Sequence, residues 1–402
     1  MWVRAEARTN KPKLLICCHC FIQERMIEMA PDCRTELSVR IREEALRMGF
    51  FRVGITPARP LPNSERFTMW LNEGMYGEMR YIERQAPRRL DPGLILDGAR
   101  SILVLALNYY TAGTFSGSPL KGKISRYAWG DDYHAVAKAR LEAVLAFIKK
   151  LEPSARGLCC ADTGPVMEKV WGARSAVGWT GKNTMLISRS HGSWFFIGVI
   201  LLNIELEYDS EERNFCGQCN RCIQACPAGA IIAPYVLDAR FCISYLTQLR
   251  GPIPRPLRPL MGNRIFGCDE CQEVCPWNRF AVKTSEPGFH PREGAFMPDL
   301  APLVDMSMEE FSARFKKSPI HQTTRDGFVR NVVVALGNSG SGAAVPALEK
   351  GLQDASPLVR AHAAWALGQI ADERVHGILE SARAKETHPM VLEEIAFGGQ
   401  EE

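Results

Sequence analysis

Apolar positions along the chain change their spacing from one region to the next. After Thr35, apolar residues recur every three or four positions, which predicts an amphipathic helix with a threonine cap. The runs FRVGI, ILVLALNYY and WFFIGVILLNI are short and rich in β-branched and aromatic residues, so they predict strands. Further helices are expected over about 132–151 and after Pro165. Residues 35–210 therefore predict an α/β domain whose sheet is covered by helices.

Beyond Phe311 the sequence repeats itself. Val329-Arg330 precedes one Ala-Leu-Gly triplet and Val359-Arg360 precedes another, and the triplets lie 31 residues apart. Such self-similarity, with Ala-rich faces that permit close packing, predicts stacked helical pairs of the HEAT-like α-solenoid type over residues 311–390. Solenoids usually serve as interaction surfaces.

Composition sets the class of protein without deciding its function. A chain of 402 residues predicts two or three domains, and 46% hydrophobic with 23% charged residues is typical of globular proteins. The net charge of +4 is too small to indicate a nucleic-acid partner, although it leaves room for a local basic patch. The longest apolar stretch, 194–204, is too short to span a membrane. We expect a cytoplasmic protein without membrane contact.

Fourteen cysteines are unusual in so long a chain and favour metal or cluster ligation over a disulfide framework. Residues 1–34 contain Cys17, Cys18, Cys20 and Cys33 beside an apolar run that lacks a signal-peptide cleavage site. We interpret this segment as a poorly determined extension rather than a metal site.

Eight cysteines lie within residues 211–290, where long apolar runs are scarce. Cys216 opens CxxCxxCxxxCP, the run of two-cluster bacterial ferredoxins, in which the fourth cysteine ligates the other cluster. A second set, CxxCxxxCP from Cys268, lacks its leading cysteine, and Cys242 is the nearby thiol that completes it. The crossed pattern assigns Cys216, Cys219, Cys222 and Cys275 to one 4Fe-4S cluster and Cys226, Cys242, Cys268 and Cys271 to the other. Two zinc sites are the alternative, but they require paired CxxC knuckles.

The clusters predict electron transfer to a site in the α/β domain. No GxGxxG follows a strand, so a Rossmann nicotinamide or flavin site has no support. The corrinoid DxHxxG motif is incomplete, because Ala137 stands where the glycine belongs.

Several strings closely resemble epoxyqueuosine reductases, the iron–sulfur and cobalamin enzymes that complete the queuosine modification of tRNA. The resemblance covers about residues 36–390, including the HEAT-like tail of one branch of the family. The strings are RRLDP at 88–92, RYAWGDDYH at 126–134, DTGP at 162–165, GWTGKN at 178–183, FCISYLT at 241–247 and GCDECQEVCPWN at 267–278. The resemblance implies a reductive-dehalogenase-like α/β domain that binds cobalamin base-off beside the nearer cluster.

Site residues follow from the same resemblance. Asp162 matches the family's proton donor over the cobalt, whereas the residues alone also permit a helix N-cap. The cofactor contacts that the resemblance implies, besides Asp162, are Arg89, Ser125, Ser244 and Asp269. Ser125 replaces the cysteine of some members, and serine is a poorer ligand for a soft metal. Turn capping is the alternative for Ser244 and Asp269, and a solvated surface charge is the alternative for Arg89.

A basic, proline-rich segment links the two cysteine sets. It has five arginines from Arg240 to Arg264 and no acidic residue, which favours phosphate contacts over a merely solvated loop. We assign Arg250, Arg255, Arg258 and Arg330 to tRNA binding. The resemblance implies a GUN anticodon, as in the tRNAs for Asp, Asn, His and Tyr, with the base splayed into the site. It also implies a reduced flavodoxin or ferredoxin-type donor, and we expect a monomer.

The leading hypothesis is reduction of epoxyqueuosine to queuosine, with electrons passing through two 4Fe-4S clusters to cobalamin. One alternative is a corrinoid iron–sulfur reductive dehalogenase, although such enzymes usually carry an export signal and have no use for a HEAT tail. The other is a non-catalytic ferredoxin-type carrier. Only the two enzymes require cobalamin for turnover.

Overall fold

A computed structural model describes residues 33–62, 64–113, 115 and 117–399. The cysteines at 17, 18 and 20, and with them most of the expected N-terminal extension, lie outside the described residues. Cys33 is exposed. It begins the first helix two residues before Thr35, so Thr35 lies inside that helix and the prediction of a threonine cap is wrong.

The N-terminal domain is a four-stranded sheet with helices on both faces. Its elements are α1 (Cys33–Arg47), β1 (Arg52–Pro57), α2 (Glu65–Asn72), α3 (Arg80–Arg84), α4 (Ala86–Leu90), β2 (Ser101–Asn108), β3 (Lys123–Ile124), α5 (Tyr133–Leu151), β4 (Gly157–Cys160), α6 (Glu168–Arg174), β5 (Trp179–Thr180), β6 (Leu186–Ile187) and β7 (Phe195–Leu202). The sheet order is β1-β2-β7-β4, and every pairing is antiparallel.

Strand β2 shows why both faces of this sheet must be covered. All its residues from Ser101 to Leu107 are buried, and its side chains alternate between two apolar clusters. Leu103 and Leu105 pack with α1 and α5 on one face, whereas Val104 packs with the α6 side on the other. The covered sheet predicted from the sequence is confirmed.

The cysteine-rich region is built from short elements. They are α7 (Arg221–Gln224), β8 (Ile231–Ala233), β9 (Val236–Leu237), α8 (Ile243–Leu246), β10 (Arg264–Phe266) and α9 (Glu270–Glu273). Strand β10 pairs in parallel with β3 of the N-terminal domain, so the two regions are joined through a small sheet.

The C-terminal region is helical, as the repeat predicted. Its helices are α10 (Met308–Phe315), α11 (Arg325–Asn338), α12 (Val345–Gly351), α13 (Pro357–Leu367), α14 (Arg374–Arg383) and α15 (Pro389–Gly398). Its core continues into the segment that links the cysteine sets, since Ile253, Met261 and Ile265 are fully buried in the same cluster as α11 and α13.

The arginines of that linking segment are engaged inside the protein. Arg258 is 2% exposed and donates to both carboxylate oxygens of Glu394, at 3.0 and 2.8 Å. Arg330 is fully buried and donates to backbone carbonyls, including that of Gly251 at 2.6 Å. Neither side chain has a surface to offer a phosphate, so the prediction that they bind tRNA is wrong. Arg255 is neutralised by Glu393 and Glu394, and Arg250 is exposed.

Among the residues that the structure describes, no helix combines the length and the apolar character needed to cross a membrane.

Candidate active site and cluster cavities

A cleft opens at one edge of the sheet, where β2 and β4 end and β7 begins. It encloses about 1490 Å³, counting the solvent at its mouth. Its lining includes Tyr109, Asp162 and Phe196 from the N-terminal domain and Cys242, Cys268 and Cys271 from the cysteine-rich region. The fold therefore brings acidic groups, aromatic groups and cysteine thiols to one cleft.

Asp162 follows β4 at the mouth of this cleft. Its backbone is in the left-handed region, with φ at +57°, and its side chain is 71% exposed. The Tyr133 hydroxyl donates to Oδ2 at 2.6 Å, and Nε2 of His134 lies 4.0 Å from the same oxygen. Helix α6 begins at Glu168 with Met167 as its N-cap, so the alternative that Asp162 caps this helix is wrong.

Glu168 is a site residue that sequence reasoning missed. It begins α6, lines the cleft and accepts the backbone N–H of Asp162 at 3.1 Å. Burial raises the pKa of its carboxyl to about 7, and the negative charge of Asp162 adds to the rise. A glutamate in the first turn of a helix is ordinarily a dipole partner, so only its surroundings in the fold reveal it.

Ser125 and Asp269 form a buried pair at the base of the cleft. The Ser125 hydroxyl donates to one carboxylate oxygen of Asp269, and the backbone N–H of Arg126 donates to the other at 2.7 Å. Burial raises the pKa of Asp269 to about 6. Asp269 thus fixes the position of Ser125, and both side chains line the cleft, as a cofactor contact requires.

Arg89 and Ser244 lie in different surroundings. Nη1 of Arg89 donates to the Val166 carbonyl at 3.3 Å, whereas its Nε is buried without a hydrogen-bond partner. Such a group is costly unless a bound molecule satisfies it. Ser244 lines the cleft, and its carbonyl accepts from Thr247 and Gln248 at 3.0 Å each.

The first predicted cysteine set surrounds a separate cavity of about 690 Å³. Its lining includes all four thiols assigned to one cluster: Cys216, Cys219, Cys222 and Cys275. Across the described part of the chain, no three His, Cys, Asp or Glu side chains converge closely enough for one metal ion. Thiols spread around a cavity suit a multi-iron cluster better than a zinc ion.

Three cysteines of the second set, Cys242, Cys268 and Cys271, line the large cleft. Burial raises the pKa of the Cys242 thiol, and the charge of Cys226 contributes to the rise, so the fourth member is close by. The grouping in space agrees with the crossed pattern, while the ligand assignment itself stays a prediction.

Asn183 lies between the two cysteine sets. It lines both cavities, is 3% exposed and donates through Nδ2 to the Cys271 carbonyl at 3.1 Å. The neighbouring Lys182 donates to the Gly217 carbonyl at 2.8 Å. The GKN turn therefore fastens the N-terminal domain to both cysteine loops.

Comparisons with family descriptions divide the chain as its structure does. Residues 215–278 match "4Fe-4S double cluster binding domain", residues 89–163 match "Epoxyqueuosine reductase QueG, DUF1730", and residues 326–397 match "HEAT repeats".

Individual proteins are similar over most of the chain. The epoxyqueuosine reductase of Escherichia coli is 37% identical over 86% of this chain and 92% of its own length. That of Xanthomonas campestris is 39% identical over 83% and 96%. A crystal structure of epoxyqueuosine reductase with an epoxyqueuosine-modified tRNA-Tyr stem loop superimposes with a TM-score of 0.85, at 31% identity over 90% of this chain and 98% of that one. A structure of the epoxyqueuosine reductase from Bacillus subtilis, with its aspartate-bearing catalytic loop swung out of the active site, gives a TM-score of 0.83, at 31% identity over 90% of this chain and 98% of that one.

Proposed function

This chain belongs to the epoxyqueuosine reductase family, and we propose that it reduces epoxyqueuosine to queuosine at the wobble position of tRNA. As a member of that family it is an oxidoreductase. The observation that carries the proposal is the cleft itself, where Asp162 and three cysteine thiols line one space of about 1490 Å³ that can take a cofactor and a splayed base.

Two 4Fe-4S clusters are held by the two cysteine sets of the crossed pattern. Cobalamin occupies the cleft, where the aromatic side chains of Tyr109, Phe196 and Phe266 suit an apolar macrocycle. Ser125 and Asp269, which are hydrogen-bonded to each other and lie near Cys268 and Cys271, would contact the cofactor, and the unpartnered Nε of Arg89 suits one of its polar substituents. When bound, this group supplies a strongly reducing cobalt centre for the electrons that the clusters deliver.

Asp162 is the proton donor to the oxygen that leaves the substrate ring. Removing an epoxide oxygen places negative charge on that oxygen, so a carboxylic acid at the mouth of the cleft stabilises its departure. Tyr133 orients the acid through the 2.6 Å hydrogen bond to Oδ2. A purely electron-carrying protein has no use for this arrangement.

Exposed basic residues bind the tRNA backbone. Arg250 follows Gln248, a residue of the cleft lining, by two positions. Lys316 and Lys317 are exposed beside the mouth, where the Lys317 carbonyl accepts the N–H of Asp132 at 2.8 Å. These side chains bind tRNA with a GUN anticodon in the cytoplasm. The protein works as a monomer, and a flavodoxin or ferredoxin-type donor supplies its electrons.

The proposal is tested with anaerobically purified enzyme. We expect about eight iron atoms per chain, four for each cluster. With cobalamin and a chemical reductant, the enzyme should remove one oxygen atom from epoxyqueuosine in a tRNA-Tyr stem loop, as measured by mass spectrometry. Enzyme without cobalamin should be inactive. Failure of the fully loaded enzyme to convert this substrate would overturn the proposal.

The assignment of Cys242 has its own test. The Cys242→Ser variant should lose iron and the paramagnetic signal of one reduced cluster. Cys159→Ser is the matched control, because Cys159 is a free cysteine that lines neither cavity. Full iron content in the Cys242 variant would show that the crossed pattern is misassigned.

A further inference from the structure

Removing an epoxide oxygen consumes two protons, whereas Asp162 stores one. Two electrons and two protons convert the epoxide to an alkene and water. The two C–O bonds break, a C=C π bond and two O–H bonds form, and the oxygen leaves as water. Once a substrate base covers Asp162, the second proton must come from another ionisable group of the cleft.

Glu168 is such a group. It lines the same cleft, begins α6 and accepts the backbone N–H of Asp162 through Oε1 at 3.1 Å. Arg89 is a cation whose charge acts on its carboxyl, and this effect is smaller than those of burial and of the Asp162 charge.

Two charged neighbours, Asp162 and Arg89, influence the pKa of Glu168. Burial is the main cause that raises its pKa to about 7, the charge of Asp162 raises it further, and Arg89 lowers it. Cys160 is buried nearby, and the charge of Glu168 contributes to the raised pKa of the Cys160 thiol. The adjacent Lys169 points to Sδ of Met185, at 3.6 Å. The Glu168 carboxyl is therefore protonated at a higher pH than an ordinary glutamate.

We propose that Glu168 supplies the second proton of the reaction by way of Asp162, and that its hydrogen bond to the Asp162 amide keeps the aspartate loop turned into the cleft. The inference rests on the proposed function. Asp162 gives its proton to the oxygen as the first C–O bond breaks. Glu168 then reprotonates Asp162, which delivers this second proton as the hydroxyl departs as water. Glu168 is a positioning residue, because it acts through Asp162.

Two substitutions separate its tasks. Glu168→Gln keeps an oxygen that accepts the Asp162 N–H but carries no titrating proton, whereas Glu168→Ala removes both functions. In single-turnover assays with pre-reduced holoenzyme, we expect Glu168→Gln to convert substrate about 10–100-fold more slowly and Glu168→Ala more slowly still. Glu142→Gln on the exposed side of α5, where Glu142 is 59% exposed, is the matched control and should behave as wild type.

The pH profile shows whether Glu168 supplies a proton or only holds the Asp162 loop in place. Glu168 loses its proton as the pH rises through about 7, so the wild-type rate should fall above that value. The Glu168→Gln variant should lose this alkaline decline. An unchanged profile in that variant, or a wild-type rate in it, would overturn the proposal.

A measurement without turnover completes the test. Infrared difference spectra of the holoenzyme should show, beside the Asp269 carboxyl with its pKa of about 6, a second protonated carboxyl that titrates near pH 7 in the wild type and is missing in Glu168→Gln. Its persistence in the variant would overturn the proposal. If the wild type fails to convert substrate, the proposed function fails, and this titration still decides whether Glu168 stores a proton.

Discussion

The cleft and the arginine-rich linking segment use charge in opposite ways. Arg258 and Arg255 are paired with glutamates of α15, and Arg330 is enclosed by backbone carbonyls. In the cleft, among the described residues, the Asp162 carboxylate has only the Tyr133 hydroxyl as a hydrogen-bond donor and His134, at 4.0 Å, as an ion-pair neighbour. The linking segment resembles a binding surface in sequence but is structural, whereas the exposed carboxylate remains available for chemistry. What distinguishes them is whether the fold supplies a partner.

The largest expected effect comes from changing Asp162, the carboxylate at the mouth of the cleft. Asp162→Asn should lower single-turnover conversion by about 10²–10⁴-fold, because the amide cannot donate an acidic proton. Asparagine tolerates the left-handed backbone, so the loop should keep its conformation. Folding, cobalamin affinity and tRNA affinity should persist. Asp97→Asn, at an exposed position, is the matched control, and near-wild-type conversion by Asp162→Asn would remove Asp162 from the mechanism.

Changes at the buried arginines should affect stability instead. Arg330→Met leaves the carbonyls of Leu246, Leu249 and Gly251 without this donor. We expect the free energy of unfolding to fall by about 3–4 kcal/mol in denaturant titrations. Arg250→Gln, at an exposed position, should change it by less than about 0.5 kcal/mol. Equal values for the two variants would contradict the contrast between buried and available arginines.

A smaller effect is expected from changing Tyr133, the hydrogen-bond partner of Asp162. Tyr133→Phe removes the hydroxyl that donates to Asp162 at 2.6 Å. Because the Asp162 side chain is largely exposed, this bond should be worth only about 1 kcal/mol, or about fivefold in the single-turnover rate. Binding of tRNA should not change. A loss as large as that of Asp162→Asn would give Tyr133 a direct part in proton transfer.

The smallest effect is expected from changing Arg250, an exposed arginine of the linking segment. Arg250→Gln should weaken tRNA binding about two- to fivefold and make the dependence of log affinity on log salt shallower by about 0.7–0.9. Filter binding over a salt series measures both quantities. Arg383→Gln on α14, with a side chain 61% exposed, is the matched control. An unaltered slope for Arg250→Gln would exclude Arg250 from the tRNA surface.

Local patterns predicted much of this molecule. The apolar run that forms β2 and the start of α5 after Asp132 follow from neighbouring residues, and Asp132 accepts from the N–H of His134 at 3.1 Å as an N-cap. The cysteine spacing likewise anticipated which thiols meet in the cavity of about 690 Å³.

Pairings between residues far apart in the chain could not be predicted from the sequence. Glu394 lies 136 positions from Arg258, and the carbonyl of Leu249 lies 81 positions from Arg330, so neither pairing leaves a local signal. The raised pKa of the Glu168 carboxyl, about 7, also leaves no local signal, because it results mainly from burial in the folded cleft.

The core shared by the linking segment and the helical repeats limits how this protein can be divided. Ile253 and Met261 are fully buried against residues that include Val333 and Ala366. A version of the chain that ended before α11 would expose this apolar surface and should aggregate. The repeats are therefore not an exchangeable module, and changes in the linking segment must be inherited together with compatible changes in α11 and α13.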